Sequence, residues 1–115
     1  MATPKLTFKN CEKTDWGVVL NFEVGKSIGR FALYTYDDDI YTIYLANLRI
    51  AERYRGKGIG NWILNWVFQY ARTNNRKQII LRVESGSWME AWYVRKGFNY
   101  LQSAEDGSNW LRKNL

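Results

Sequence analysis

The segment RYRGKGIG, from Arg53 to Gly60, decides how this sequence folds, because a strand pattern ends before it and a helical pattern follows it. Its three glycines alternate with other residues, and none of its side chains is a metal ligand or a nucleophile. A helix N-terminus offers unpaired N–H groups and a partial positive charge, and both favour a bound phosphate. Glycine lets the backbone approach such an anion closely. We therefore expect this loop to bind a diphosphate.

The sequence before the loop has the alternation of apolar and polar residues that is typical of β-strands. A short strand is predicted around Leu6, and longer ones over Val18–Val24, residues 27–36 and Ile40–Ile50. The acidic run at residues 37–39 predicts a polar hairpin tip between the last two. The first half of the chain is therefore predicted to be rich in β-structure.

After the loop the apolar residues recur at helical spacing. This first helix is predicted to end at Asn74 and Asn75. Gln78–Glu84 has a strand pattern, and Ser87 followed by Glu90 has the capping-box pattern that begins a second helix. Two further strand patterns, FNYLQSAE and NWLRKNL, follow. A strand, a helix and a strand in this order imply a parallel pair.

These patterns together predict one domain over residues 1–115 of the α+β class. We expect a mixed, mostly antiparallel sheet with a central parallel pair and two main helices. A chain of 115 residues is long enough for one hydrophobic core and too short for two.

Composition excludes several classes of function. The chain contains no histidine and a single cysteine, Cys11, so His-based zinc sites, Ser-His-Asp triads and disulfides within the chain are excluded. No apolar run approaches the roughly 20 residues of a membrane span. The start, MATPKLTFKN, has no apolar core of a signal peptide, so a cytoplasmic protein is expected. Cys11 is expected to be a small core residue.

The net charge of +6 suits a partner that carries phosphate. Two well-known phosphate-binding motifs do not fit the loop. The Walker A pattern fails because no Ser or Thr follows the last glycine, and the dinucleotide fingerprint fails on glycine spacing and on the short remaining chain. A tight β–α turn without a ligand is the alternative that the glycines alone leave open.

The flanking residues resemble the GNAT superfamily of acetyl-CoA-dependent N-acyltransferases. The family pattern [Q/R]-x-x-G-x-[G/A] fits the residues from Arg53 to Gly58 and again those from Arg55 to Gly60. Leu48-Arg49-Ile50 stands where family members have a strand end that binds pantetheine, and AWYVRKGF resembles the family's later helix. The resemblance runs over about residues 40–115. It implies a parallel pair of strands splayed around acetyl-CoA.

The resemblance implies acetyl transfer from acetyl-CoA directly to a primary amine, with no metal. The residues expected to bind the cofactor are Leu48, Arg49, Ile50, Arg55, Gly56, Lys57, Gly58, Ile59, Gly60 and Asn61. Tyr93 matches the family tyrosine that acts as general acid, and an aromatic residue simply packed on the sheet is the alternative. Glu84 is a candidate general base, and the alternative is a solvated carboxylate or a pair with Arg82. The acidic run at 37–39, Tyr41 and Tyr44 are further candidates for the base.

The tryptophan pairs Trp62/Trp66 and Trp88/Trp92 are spaced by four residues, and we expect them to pack in the core or an interface. Ser85-Gly86-Ser87 replaces the asparagine that many family members have, which leaves one cofactor contact open.

The chain departs from the family near its N-terminus. Residues 9–18 are too few for the two helices that family members usually have after the first strand. We therefore expect a shallow acceptor site that suits a protein or peptide amine.

Other functions stay open. A small-molecule amine such as a polyamine or an aminoglycoside is the alternative acceptor. A basic nucleic-acid-binding module and a CoA-binding partner without catalysis are alternatives of other classes, and the chain could be a monomer or a homodimer.

Overall fold

The computed structural model describes residues 4–115, which form one sheet of seven strands with two α-helices. The strands are β1 (Leu6–Lys13), β2 (Gly17–Val24), β3 (Gly29–Tyr36), β4 (Asp39–Ile50), β5 (Gln78–Glu84), β6 (Asn99–Ser103) and β7 (Ser108–Asn114). The helices are α1 (Ile59–Thr73) and α2 (Trp88–Arg95). The expectation that the N-terminal segment has no signal peptide falls partly on residues 1–3, which lie outside the described residues.

The strands lie in the order β1-β2-β3-β4-β5-β7-β6. The β4–β5 pair is parallel, and the other neighbouring pairs are antiparallel. This confirms the predicted α+β fold with a central parallel pair and two helices. A short 3-10 turn at Glu52–Tyr54, which the sequence patterns did not predict, links β4 to the glycine loop.

Both helices contribute to a single hydrophobic core on one face of the sheet, which is called the helix face below. The apolar side of α1 packs there because its buried residues recur at helical spacing. The buried sheet residues are Phe22, Val24, Phe31, Leu33, Ile43, Leu45, Ile79, Leu81 and Leu111. Ile59, Ile63, Leu64, Val67 and Ala71 of α1, Tyr93 of α2 and Phe98 complete the core.

β4 contains a β-bulge at Asn47. The pairing of β4 with β3 shifts by one residue there, and Asn47 has a φ of 56°. Asparagine tolerates this left-handed conformation better than most residues. The extra residue reverses the alternation of side chains, so that Leu45 and Leu48 both pack on the helix face. The bulge also bends the end of β4.

β4 and β5 are paired only near their starts within the described residues, from Thr42 with Gln78 to Tyr44 with Ile80. Thr42 is buried; its Oγ1 donates to Asp39 Oδ2 at 2.6 Å and accepts from Gln78 Nε2 at 2.7 Å. This chain of polar side chains joins the starts of the two strands, which are called the closed end of the strand pair below. Beyond Tyr44 the strands diverge, as the resemblance implied.

The N-terminal region is a plain hairpin. β1 is longer than the short strand predicted, and residues 14–16 connect it to β2, so no helix lies between these strands. Cys11 is exposed, and its prediction as a core residue was wrong. The reason is that β1 is an edge strand, beyond the part of the sheet that the helices cover.

The opposite face of the sheet, called the open face below, has no helix on it among residues 4–115. A small group of buried side chains, Val19, Ala32 and Ala46, lies there beneath two partly buried tyrosines, Tyr34 and Tyr44. Only residues 14–16 connect β1 to β2, so this connection places no helix on the open face. No helix of the described residues is long and apolar enough to span a membrane.

Candidate functional site

A cavity of about 500 Å³ lies between the end of β4, the glycine loop and the start of α2. Its size is within the range of small-molecule sites. The residues lining it are Leu48, Arg49, Ile50, Tyr54, Arg55, Gly56, Gly58, Ile59, Gly60, Asn61, Trp88, Met89 and Trp92. Of the residues expected to bind a cofactor, all except Lys57 are among them.

The first turn of α1 has free backbone donors at this cavity. Gly58 is the N-cap, it has no side chain that could accept a hydrogen bond, and the first turn has no acidic residue. The amides of Ile59 and Gly60 therefore keep the hydrogen-bonding capacity and the partial positive charge of a helix N-terminus. Such a terminus at a cavity wall is suited to an anion.

Two of the loop glycines have left-handed backbones. Gly56 has a φ of 74° and Gly58 a φ of 83°, and a Cβ atom at either position would meet nothing within 4 Å. The space beside both residues is therefore open to a ligand. Gly60 differs, because a Cβ there would lie 3.3 Å from the Trp92 ring. Its lack of a side chain allows α1 to approach α2 closely.

Basic side chains surround the loop. Arg55 is fixed to the end of β4, since its Nε donates a hydrogen bond to the Ile50 carbonyl oxygen at 2.9 Å. Arg53 lies over the Tyr54 ring at 5.0 Å from its centroid. Arg49 and Arg55 line the cavity, whereas Lys57 is exposed outside it. The mouth of the cavity is therefore positively charged.

One wall of the cavity is the start of α2, which the sequence analysis did not assign to the site. Trp88 is 64 % exposed, so it does not pack in the core, and its packing in an interface stays a prediction. Trp92 is partly buried against the core and also lines the cavity, as Met89 does. The tryptophan spacing of four residues indicates one face of a helix, and that signal could have suggested a cavity wall. Trp62 and Trp66 pack against the core as predicted.

The start of α2 is fixed by the predicted capping pair. The Ser87 side chain accepts from the Glu90 amide at 3.2 Å, and Glu90 Oε1 accepts from the Gly86 amide at 3.0 Å. Glu90 Oε2 accepts from Asn109 Nδ2 at 2.7 Å, which ties the helix to β7. The bonds from Asn109 and Gly86 hold the pKa of Glu90 below its usual value. The cavity wall is therefore held in place by the sheet.

Tyr93 lies one helical turn after Met89 on α2, toward the closed end of the strand pair. It is buried, in edge contact with the rings of Trp92 and Phe98. Burial raises the pKa of its phenol, which therefore keeps its proton at neutral pH. Tyr93 is absent from the cavity lining, and its ring also forms part of the core.

Glu84 lies apart from this cavity. It is exposed at the last position of β5 and lines a second, polar cavity of about 390 Å³ with Asp106 and Ser108. Arg82 Nη1 lies 3.9 Å from Asp106 Oδ2. The carboxylate that pairs with Arg82 is therefore that of Asp106 and not that of Glu84. Hydrogen bonds from Ser108 are the main reason that the pKa of Asp106 is lowered.

The further candidates for a base lie at the closed end. Asp39 accepts hydrogen bonds from the Tyr41 amide and from Thr42, which gives it a structural role in the turn. Tyr41 is 53 % exposed. Tyr44 stands at the last parallel pair, and burial raises its pKa while nearby Arg82 opposes that shift.

Within the described residues, no group of three or more His, Cys, Asp and Glu side chains could hold a metal ion.

Comparison with known proteins assigns this arrangement to a family. The model of the acetyltransferase (GNAT) domain matches residues 15–100. The chain belongs to the GNAT acetyltransferase family. The predictions of the family and of an acyltransferase are thereby confirmed. No curated protein matches the sequence.

Solved GNAT structures share the fold at low sequence identity. An acetyltransferase from Elizabethkingia anophelis with acetyl-CoA bound has a TM-score of 0.68 and 21% identity, over 86% of this chain and 76% of that one. An IAA acetyltransferase from Bacillus cereus has a TM-score of 0.70 and 21% identity, over 84% and 78%. The PaiA N-acetyltransferase from Thermoplasma acidophilum in complex with coenzyme A has a TM-score of 0.74 and 17% identity, over 84% and 61%.

Proposed function

We propose that this GNAT domain binds acetyl-CoA in the 500 Å³ cavity and transfers the acetyl group to a primary amine of a protein or peptide. The observation that carries the proposal is the uncapped start of α1 at that cavity, beside open glycines and arginines. Family members with acetyl-CoA or coenzyme A bound support the same cosubstrate. A cytoplasmic location stays a prediction.

The cavity residues fit the parts of acetyl-CoA. The amides of Gly58, Ile59 and Gly60 and the charges of Arg49 and Arg55 suit its diphosphate. The edge of β4 at Leu48 and Arg49 has no β5 partner and suits the amides of the pantetheine arm, with Ile50, whose carbonyl accepts from Arg55, at its end. Gly56, Lys57 and Asn61 complete the proposed set; Lys57 would act from outside the cavity through its charge.

Acetyl transfer needs a neutral amine and a protonated leaving group. The amine nitrogen attacks the thioester carbonyl carbon, the C–N bond forms, the C–S bond breaks, and the sulfur leaves as a thiolate. An acceptor ammonium gives up one proton before attack and a second as the amide forms, and the thiolate takes up one. Held in line, the two reactants gain up to ~7–11 kcal/mol from proximity alone.

We propose Tyr93 as the donor of the proton to the thiolate and Glu84 as the base that takes a proton from the amine through water. Tyr93 is positioned on α2 beyond the cavity wall, and its phenol holds the required proton. Glu84 follows Arg82 by two residues, so both side chains are directed to the open face. A base there would meet an acceptor that arrives on that face.

Calorimetry with acetyl-CoA tests the binding step. We expect Arg55→Ala to weaken acetyl-CoA about tenfold, as for the loss of one hydrogen bond to a charged group. Arg72→Ala, at the far end of α1, is the matched control and should change nothing. Acetyl-pantetheine, which has no diphosphate, should bind the two variants equally. If acetyl-CoA gives no heat and no thermal stabilisation of the wild type, the proposal is wrong.

Thiol release in the presence of lysine peptides tests the chemistry. The assay needs a Cys11→Ser background, because the exposed Cys11 thiol would react with the detection reagent. Tyr93→Phe and Glu84→Gln should each lower kcat about 100-fold, the usual size of a general acid or base contribution, with unchanged acetyl-CoA affinity. A variant with full turnover would remove that residue from the mechanism without affecting the proposal for the other.

A further inference from the structure

Four aromatic side chains form a continuous row across the open face of the sheet. The ring centroid of Trp16 lies 5.5 Å from that of Tyr34, and the two rings are stacked. Tyr34 lies 5.0 Å from Tyr44, which lies 5.2 Å from Trp110. The four residues come from the turn before β2 and from β3, β4 and β7. We call them the aromatic row.

The row presents rings to solvent without a helix over them. Trp16 is 41 % exposed and the other three are partly buried. Small side chains lie beneath Tyr34 and Tyr44, namely those of Val19, Ala32 and Ala46, which form the buried patch of this face. A contiguous exposed aromatic surface of this kind is typical of a binding site.

The row already binds one cation of the chain itself. The Arg82 guanidinium lies 5.6 Å from the Trp110 ring centroid, within the range of a cation–π contact. The outer surfaces of Trp16 and Tyr34 offer the same chemistry at the other end of the row and hold no cation of the described residues there.

Carboxylates stand at both ends of the row, although the chain as a whole has a net charge of +6. Asp15 precedes Trp16 and is exposed; Asp37 and Asp38 are exposed in the turn beside Tyr36, whose ring lies 5.4 Å from Trp16. Glu84 is exposed two residues beyond Arg82 at the other end. The Trp16 end of the row is therefore complementary to a positively charged ligand, whereas Arg82 stands beside Trp110 and Glu84 at the other end.

The row crosses the sheet where the two parallel strands part. Tyr44, its third member, is the last residue of β4 that pairs with β5, and the proposed acetyl-CoA cavity lies on the helix face beyond that point. A side chain that enters between the strands from the row would therefore approach the cavity from the opposite face.

We infer that the aromatic row binds an extended basic peptide segment and presents one of its lysines to the gap between β4 and β5. This inference rests on the proposed acetyl-transfer function and names its substrate class. Three ring-to-ring steps of 5.0–5.5 Å match roughly five residues of extended chain at about 3.3 Å each. An open row of that length fits cationic side chains that flank the acceptor lysine, whereas it could not enclose a small amine.

Binding of pentalysine, measured without acetyl-CoA, tests the inference. We expect Trp16→Leu to weaken pentalysine about three- to fivefold, as for one exposed cation–π contact, and Trp16→Leu with Tyr34→Leu to weaken it at least tenfold. Tyr100→Leu removes an aromatic ring that is 61 % exposed on β6, outside the row, and is the matched control. The Trp16 indole N–H signal of the wild type should shift on pentalysine addition, which requires no variant.

Kinetics separate this inference from the proposed function. The row variants should raise the KM for pentalysine by the same factors and leave the KM for acetyl-CoA unchanged. The inference is overturned if the row variants behave like Tyr100→Leu, or if pentaglutamate, a single-stranded oligonucleotide or spermine binds as tightly as pentalysine. If the inference is overturned in this way, acetyl-CoA binding still supports the proposed function. The opposite result, in which pentalysine binds and acetyl-CoA does not, would overturn the proposed function alone.

Discussion

Gly58 shows how one residue shapes the site. It ends the glycine loop, begins α1 as its N-cap, and holds a left-handed backbone with a φ of 83° beside open space. Gly56 shares this conformation, whereas Gly60 is held by close packing against Trp92. The same residue type is therefore required for two different physical reasons within one short loop.

Replacing Gly58 tests the conformational reason. Gly58→Ala should lower the free energy of unfolding by about 1 kcal/mol, because a left-handed backbone costs a residue with a Cβ that much. Gly58→Asn is the control, since asparagine adopts this conformation more easily and should lose less than half as much. Urea denaturation measures both. Equal losses would mean that contacts rather than the backbone angle determine the cost.

At the scale of elements, α2 is a short helix whose position depends on its ends. It has eight residues, and only Tyr93 among them is buried, so packing alone anchors it weakly. The capping bonds of Ser87 and Glu90 and the bond from Asn109 to Glu90 therefore carry much of its placement. Because Trp88, at its first position, lines the cavity, loosening this end should also affect the ligand site.

Ser87→Ala should lower the free energy of unfolding by about 1 kcal/mol, the usual loss when a helix N-cap is removed. It should also weaken acetyl-CoA binding, because the α2 wall would be less ordered. Ser87→Asp retains an N-cap acceptor and is the control that should preserve both properties. Thermal melts and calorimetry on the same samples measure them, and a stable Ser87→Ala protein with wild-type affinity would contradict this account.

The elements themselves were largely predictable, since the strand and helix periods of Gln78–Glu84 and of α1 are local patterns. The capping pair was predictable for the same reason. The bulge at Asn47, the splay of the parallel strands and the exposure of Trp88 were not, because they depend on how distant segments pack. The loop residues were predicted as a site only because their motif is local as well.

At the scale of the whole molecule, the sheet has two chemically different faces. The helix face holds the core and the cavity with its basic mouth, and the open face holds the aromatic row with carboxylates at its ends. Both faces meet where β4 and β5 separate beyond Tyr44. The absence of helices between β1 and β2 leaves the second face available.

The buried Tyr93 and the partly buried Tyr36 and Tyr44 make the whole fold sensitive to alkaline pH. Burial raises the pKa of Tyr93 and is also the main cause of the raised pKa values of Tyr36 and Tyr44. The folded state therefore keeps these protons at a pH where the unfolded chain loses them, so stability is complete below pH 10 and falls as pH rises above it. The melting temperature should drop by several degrees between pH 9 and pH 11. Tyr93→Phe should flatten this drop, and an equally steep drop in that variant would contradict the assignment.

The bulge at Asn47 has a consequence for how this chain could change over time. One additional residue sets which side of β4 every later side chain takes. Loss of the Asn47 codon would remove the bulge, leave Leu48 and Ile50 on the helix face in a regular strand, and straighten the end of β4 toward β5. Point substitutions could tune this protein gradually, whereas a one-residue deletion here would narrow the gap between the parallel strands in a single step and keep the pairing of Arg49 with Arg30.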